Sequence, residues 1–136
     1  MSAEPGPLVL LVEDDVQLST IVARHLTAHG HRVRVAPSAE AAIAALRDEW
    51  PSIVLLDINL PGDTGWAVLR DAELQAAEVP VVIVSAGTVS PRRLRETGAA
   101  GYLPKPFPLE TLLAIVRREI ARGQHQQSNH GAHLNG

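Results

Sequence analysis

Four short apolar runs mark the chain: Leu8–Val12, Ile53–Leu56, Val81–Val84 and the weaker Tyr102–Leu103. Each is too short for a typical helix, and the first three are aliphatic throughout, as strands buried on both faces are. A fifth segment, His31–Ala36, alternates, with Val33 and Val35 on one side and Arg32 and Arg34 on the other. That pattern predicts a half-exposed edge strand. Helical spacing fills the intervals. Leu18, Ile21, Val22, His25 and Leu26 share one face, His25 at its boundary, and Gly30 follows as a stop. Ser38 caps a second helix running through Ile43 and Leu46. A third is predicted from about Trp66 to Ala77, and a fourth from the Ser90–Pro91 cap to Gly98. The last carries a stripe of Leu109, Leu112, Leu113, Val116 and Ile120, with Arg117, Arg118 and Arg122 near its C-terminal end.

This βα order, five times over, predicts a parallel sheet with helices on both faces. Residues 1–7 read as an N-terminal extension and residues 8–122 as one domain. Residues 123–136 are rich in Gln, Asn, His and Gly and read as a disordered polar tail. His125, His130 and His133 lack helical spacing there and read as solvated.

Composition narrows the function classes. A chain of 136 residues, 46% hydrophobic and 20% charged, can bury one core. Aromatic residues are only 3%, so that core is aliphatic. The absence of cysteine excludes disulfides, zinc–thiolate sites and thiol catalysis. A net charge of −3 argues against a broad nucleic-acid footprint. The longest apolar runs, about five or six residues, fall far short of the roughly 20 a membrane helix needs. Met1–Pro7 has no basic flank followed by an apolar stretch, so no signal peptide is visible and a cytoplasmic protein is expected.

The polar residues at the ends of the apolar runs carry the chemistry. Glu13, Asp14 and Asp15 come after the first, Asp57 after the second, Ser85 after the third, and Lys105 after the fourth and Pro104. In an open parallel sheet the carboxyl ends of the strands lie along one edge, where ligands bind. Carboxylates gathered there repel one another and raise each other's pKa unless a cation intervenes. A hard divalent ion with oxygen ligands, Mg2+, is one remedy. Pairing of Asp57 with Lys105 is the other. Such a site attracts a phosphoryl group, with a carboxylate as nucleophile and Ser85 as hydrogen-bond donor. Asp57 alone would read as a loop residue or cap; Glu13, Asp14, Ser85 and Lys105 on the same edge outweigh that reading. Asp15 reads as a cap for the first helix.

The segments Val12-Glu13-Asp14-Asp15, Leu55-Leu56-Asp57-Ile58-Asn59-Leu60-Pro61-Gly62, Ser85-Ala86 and Lys105-Pro106-Phe107 resemble the response-regulator receiver domain of two-component signalling. They lie in the family's order, and the resemblance spans roughly residues 8–122. It implies a flavodoxin-like, doubly wound (βα)5 fold with strand order 2-1-3-4-5. It implies Asp57 as phosphoacceptor, and Glu13, Asp14, Asp57 and the Asn59 backbone carbonyl as Mg2+ ligands. By the same resemblance Ser85 is the switch hydroxyl, Lys105 the family's lysine with a cis bond to Pro106, and Tyr102 the aromatic switch. The implied donor is a sensor histidine kinase or histidine phosphotransfer protein. The chain is then no enzyme beyond self-catalysed aspartyl phosphorylation and dephosphorylation. Output is expected by protein–protein contact from a stand-alone receiver, with homodimerisation through the fourth helix, fifth strand and fifth helix as one route.

The chain departs from the family pattern in places. The stretch from Ser85 to Lys105 is slightly short around Gly87–Ser90, so the fourth helix is expected to start late or be short. The loop after Asn59 reads Leu-Pro-Gly-Asp-Thr-Gly, and Pro108 stands where a capping Ser or Asp is common. Trp66 reads as packing beside the third helix and as a fluorescence reporter of Asp57; Arg92, Arg93 and Arg95 read as a solvated face. Three alternatives stay open: a receiver portion of a longer regulator or hybrid kinase, a phosphorylation-independent binding module, and a phosphohydrolase. The last lacks a second acid–base carboxylate, since Asn59 stands two positions after Asp57, and has no segment long enough for a cap.

Overall fold

Five strands pair in parallel in the order β2-β1-β3-β4-β5, as the resemblance implies. The computed structural model describes residues 6–60, 65–71, 74 and 77–135, with side chains as far as residue 123. Its elements are β1 (Leu8–Val12), α1 (Val16–Ala28), β2 (Arg32–Ala36), α2 (Ala39–Asp48) and β3 (Ile53–Asp57). There follow α3 (Gly65–Leu69), β4 (Val81–Ser85), α4 (Pro91–Thr97), β5 (Gly101–Pro104) and α5 (Leu109–Asn135). None of the described helices is long and apolar enough to cross a membrane.

Side-chain alternation along the strands splits the core in two. Leu10, Val12, Val54, Leu56, Val81 and Ile83 pack with Ala42 and Leu46 of α2 and Val68 of α3. Val9, Leu11, Ile53, Leu55, Val82 and Val84 pack on the opposite face with Val22 and Leu26 of α1 and Leu112, Val116 and Ile120 of α5. The aliphatic content follows from this: central strands sandwiched between helices have no polar face. β2, at the edge, keeps Arg32 and Arg34 exposed.

Local signals place the helices. The Asp15 carboxylate accepts from the Leu18 amide at 3.1 Å, which makes Asp15 the α1 cap. Ser38 caps α2 through the Ala41 amide, and Ser90 caps α4 through the Arg93 amide, with Pro91 at its first turn. Gly30 and Gly98 adopt φ of 93° and 73°, a left-handed conformation that a Cβ disfavours. Without a capping Ser or Asp, α5 begins with the Pro108 carbonyl accepting from the Thr111 and Leu112 amides.

Three expectations are corrected. The third helix does not run unbroken from Trp66 to Ala77. α3 ends at Leu69, and the Asp71 carboxylate then accepts from the Leu74 amide at 3.0 Å; residues 72, 73, 75 and 76 lie outside the described set. Ile21 shares the α1 stripe but is 52% exposed, because only Val22 and Leu26 reach fully into the core. Where the sequence predicts a disordered tail from Gly123, the α5 backbone continues to Asn135. The segment contains no proline, and extending an existing helix costs far less than nucleating one. α4 spans only seven residues, the short helix the Ser85–Lys105 stretch predicts.

Truncating Ile83, which is fully buried, is expected to cost about 2–5 kcal/mol. Ile21→Ala is expected to change stability by less than about 0.5 kcal/mol. Urea denaturation of the two variants beside the parent checks both values.

Candidate functional site

Strand register assembles the polar groups. Val12 lies opposite both Ala36 and Leu56, so Glu13 and Asp57, each one residue further on, stand side by side. Asp57 lies opposite Val84, and Ser85 opposite Pro104, which delivers Ser85 and Lys105 to the same edge. The Lys105 amide donates to the Ser85 carbonyl at 2.9 Å, and the Lys105–Pro106 bond is cis. The strand order reverses at the β1–β3 pair, where a sheet of this kind leaves a crevice at its carboxyl edge.

Lys105 Nζ lies 2.7 Å from Glu13 Oε1 and 3.0 Å from Asp57 Oδ2. Glu13 and Asp57 are buried, Asp57 at 5% exposure, while Asp14 is exposed. The Asp15 amide donates to Glu13 Oε2 and the Asn59 amide to Asp57 Oδ1, at 3.2 Å and 2.9 Å. One oxygen from each of Glu13, Asp14 and Asp57 falls within 4.8 Å of the others. Fully ionised, three carboxylates and one ammonium leave two negative charges. An all-oxygen donor set with that residual charge fits a hard divalent cation such as Mg2+.

Burial raises the Glu13 carboxyl above its usual value; Lys105 and the Asp15 amide pull it down, and the Asp57 charge adds to the rise. Burial also pulls the Lys105 ammonium down, yet the hydrogen bonds to Glu13 and Asp57 prevail and its pKa is raised.

Ser85 and Tyr102 belong to the opposite face. Ser85, 1% exposed, accepts through Oγ from Asn59 Nδ2 and from the Gly87 amide, both at 3.1 Å. Tyr102 is half-buried against the α2–α3 core, and its hydroxyl donates to the Gly87 carbonyl at 2.7 Å. The residues expected at the site therefore form two groups. Glu13, Asp14, Asp57 and Lys105 gather as a charged cluster, and Ser85 and Tyr102 join it through Asn59 and Gly87.

Two contacts escaped sequence reasoning. A Cβ on Gly65 would stand 2.5 Å from the Asp57 carbonyl oxygen, so only glycine lets α3 start so close behind Asp57. The second Gly of Leu-Pro-Gly-Asp-Thr-Gly was the available signal. Arg93, read as solvated, is exposed but lies 4.3 Å over the Trp66 ring, a cation–π contact joining α4 to α3. No spacing along the chain announces that pair.

A flavodoxin-like sheet with a lysine-bridged acidic pocket at its strand-order reversal narrows the class. A family model for the response regulator receiver domain matches residues 9–117, and the chain belongs to that family. Among curated relatives, the DNA-binding transcriptional regulator NtrC of Salmonella typhimurium is 30% identical over 131 residues, 95% of this chain and 28% of the relative. Transcriptional regulatory protein AfsQ1 of Streptomyces coelicolor is 32% identical over 125 residues, 90% of this chain and 55% of the relative. The chain thus spans about a quarter to a half of these relatives' lengths. A CheY-like receiver domain protein from Methanospirillum hungatei shares the fold at TM-score 0.81 and 22% identity, covering 89% of this chain and 98% of that one. NtrX from Brucella abortus matches at TM-score 0.81 and 31% identity, over 90% of this chain and 29% of its own.

Glu13 carries a pH prediction. The folded chain keeps a proton on Glu13 at pH values where the unfolded chain has lost it. That contribution to stability is complete below the ordinary value of 4.5 and is lost as pH rises through the higher folded-state value. Lys105→Ala removes the largest opposing influence and is expected to move Glu13 higher still, widening the window. Carboxyl-carbon NMR titration of the metal-free proteins reads this directly; a Glu13 midpoint in Lys105→Ala at or below the parent's would refute it.

Proposed function

We propose that the chain accepts a phosphoryl group on Asp57 from the phosphohistidine of a sensor kinase or phosphotransfer protein and signals by the resulting change of shape. The observation that carries this reading is the bridge from Lys105 to both Glu13 and Asp57 within the acidic cluster. A carboxylate fixed by an ammonium and a backbone amide is oriented for in-line attack, and the same ammonium can follow the charge onto the transferred group. The Asp57 oxygen forms a bond to phosphorus as the phosphorus–nitrogen bond to the donor imidazole breaks, and that imidazole recovers a proton. Glu13, Asp14, Asp57 and the Asn59 carbonyl would hold Mg2+, which neutralises charge on the phosphoryl oxygens when bound. Ser85 then donates to a phosphoryl oxygen, and Tyr102 follows it inward.

Phosphorylation adds charge and acceptor oxygens at the sheet edge. The face formed by α4, β5 and α5 reads that change by protein contact, homodimerisation included, since Tyr102 on β5 is joined to the Ser85–Gly87 loop that leads to α4. The chain is an acceptor in the cytoplasm and catalyses no turnover beyond its own phosphorylation and dephosphorylation. A second reading, the receiver portion of a longer regulator, draws support from relatives of which the chain spans 28% and 55%.

Incubation with Mg2+ and a small phosphodonor is expected to add one phosphoryl increment to the intact mass. Chelation of the metal, or Asp57→Asn, is expected to reduce the increment to background. Equal labelling of Asp57→Asn and the parent would remove Asp57 from its role. Lys105→Ala is expected to keep part of the labelling and lose partner binding.

A further inference from the structure

Asp57 and Ser85 are neighbours along the sheet edge, yet strand alternation sends them to opposite faces. Asp57 follows Ile53 and Leu55, which face α1 and α5; Ser85 follows Val81 and Ile83, which face α2 and α3. Asn59 reaches both. Its amide donates to Asp57 Oδ1 at 2.9 Å, and its carboxamide Nδ2 donates to Ser85 Oγ at 3.1 Å. We infer that the Asn59 side chain is a positioning residue, which ties Ser85, Gly87 and Tyr102 into one hydrogen-bonded unit in the resting chain and leaves the Ser85 proton, among the described residues, as that hydroxyl's free donor.

The inference rests on counting lone pairs. A serine hydroxyl has one proton and two acceptor positions. Asn59 Nδ2 and the Gly87 amide fill both acceptor positions, so the proton is the remaining capacity of a group buried at 1% exposure. An oxygen that accepts two N–H bonds is also polarised towards donating its own proton. Gly87 carries the connection onward, its N–H held by Ser85 and its carbonyl by the Tyr102 hydroxyl at 2.7 Å. The route Asp57–Asn59–Ser85–Gly87–Tyr102 is thus continuous, and Asn59 is where it crosses from one face of the sheet to the other. Its use in switching rests on Asp57 being the phosphoacceptor; its existence in the resting chain does not.

The test is a double-mutant cycle in the unphosphorylated, metal-free protein, with Asn59→Ala and Tyr102→Phe as the two changes and the Gly87 amide resonance as the readout. Asn59→Leu, branched at the same atom and without a donor, repeats the first change with the space filled. Both Asn59 variants are expected to shift the Gly87 amide and the Tyr102 ring signals, and the combined shift is expected to depart from the sum of the single shifts. In a Ser85→Ala background, Asn59→Ala is expected to leave Tyr102 unmoved. Strict additivity, or Tyr102 signals that ignore Asn59 in the parent background, overturns the inference. Because no phosphoryl group takes part, a failure of Asp57 labelling leaves this result standing and is read separately.

Discussion

One ammonium group holds the site together. Glu13 and Asp57 are both buried and adjacent, an arrangement in which the Asp57 charge disfavours ionisation of Glu13. Lys105 answers both at hydrogen-bond distance, and its own raised pKa records that service. The sheet exists in a form that makes this pairing available: five parallel strands end together, and the register sets Lys105 beyond β5 within reach of carboxylates beyond β1 and at the end of β3. With Lys105 compensating one charge, the remaining pair suits a divalent ion. The conflict is local, and the aliphatic strands beneath it supply the stability that tolerates it.

Much of this arrangement is legible along the chain, for a physical reason. A strand covered by helices on both faces has no use for polar residues, so runs such as Leu8–Val12 and Val81–Val84 declare themselves. A polar residue at the end of such a run then stands at a sheet edge, which is why Glu13, Asp57, Ser85 and Lys105 group together from their positions in the chain alone. Caps are equally local, and Asp15, Ser38 and Ser90 each bond an amide three residues on. What escaped depends on distance through space. Periodicity places Ile21 on a stripe but does not say how wide a strip the core covers. Nor does it announce that α3 stops at Leu69 or that the α5 backbone runs on past Gly123, where extending a helix costs little.

The two-faced sheet also explains why the polar residues divide as they do. Charge management takes place on the α1–α5 side, where Lys105 bridges its carboxylates, and the Ser85–Gly87–Tyr102 bonds lie towards α2 and α3. A strand transmits little from one face to the other through its own side chains, because alternation points them apart. The loop beyond β3 does what β3 cannot, since Asn59 can turn a carboxamide to one side while its backbone faces the other.

α4 has a different standing in the molecule. None of its residues is fully buried, and its attachments are a serine cap, a left-handed glycine, the half-buried Leu94 and the stacking of Arg93 on Trp66. Substitutions on such a surface seldom cost much stability. The sequence of this helix can therefore change while the charged cluster at the strand ends, which none of its residues touches, stays as it is.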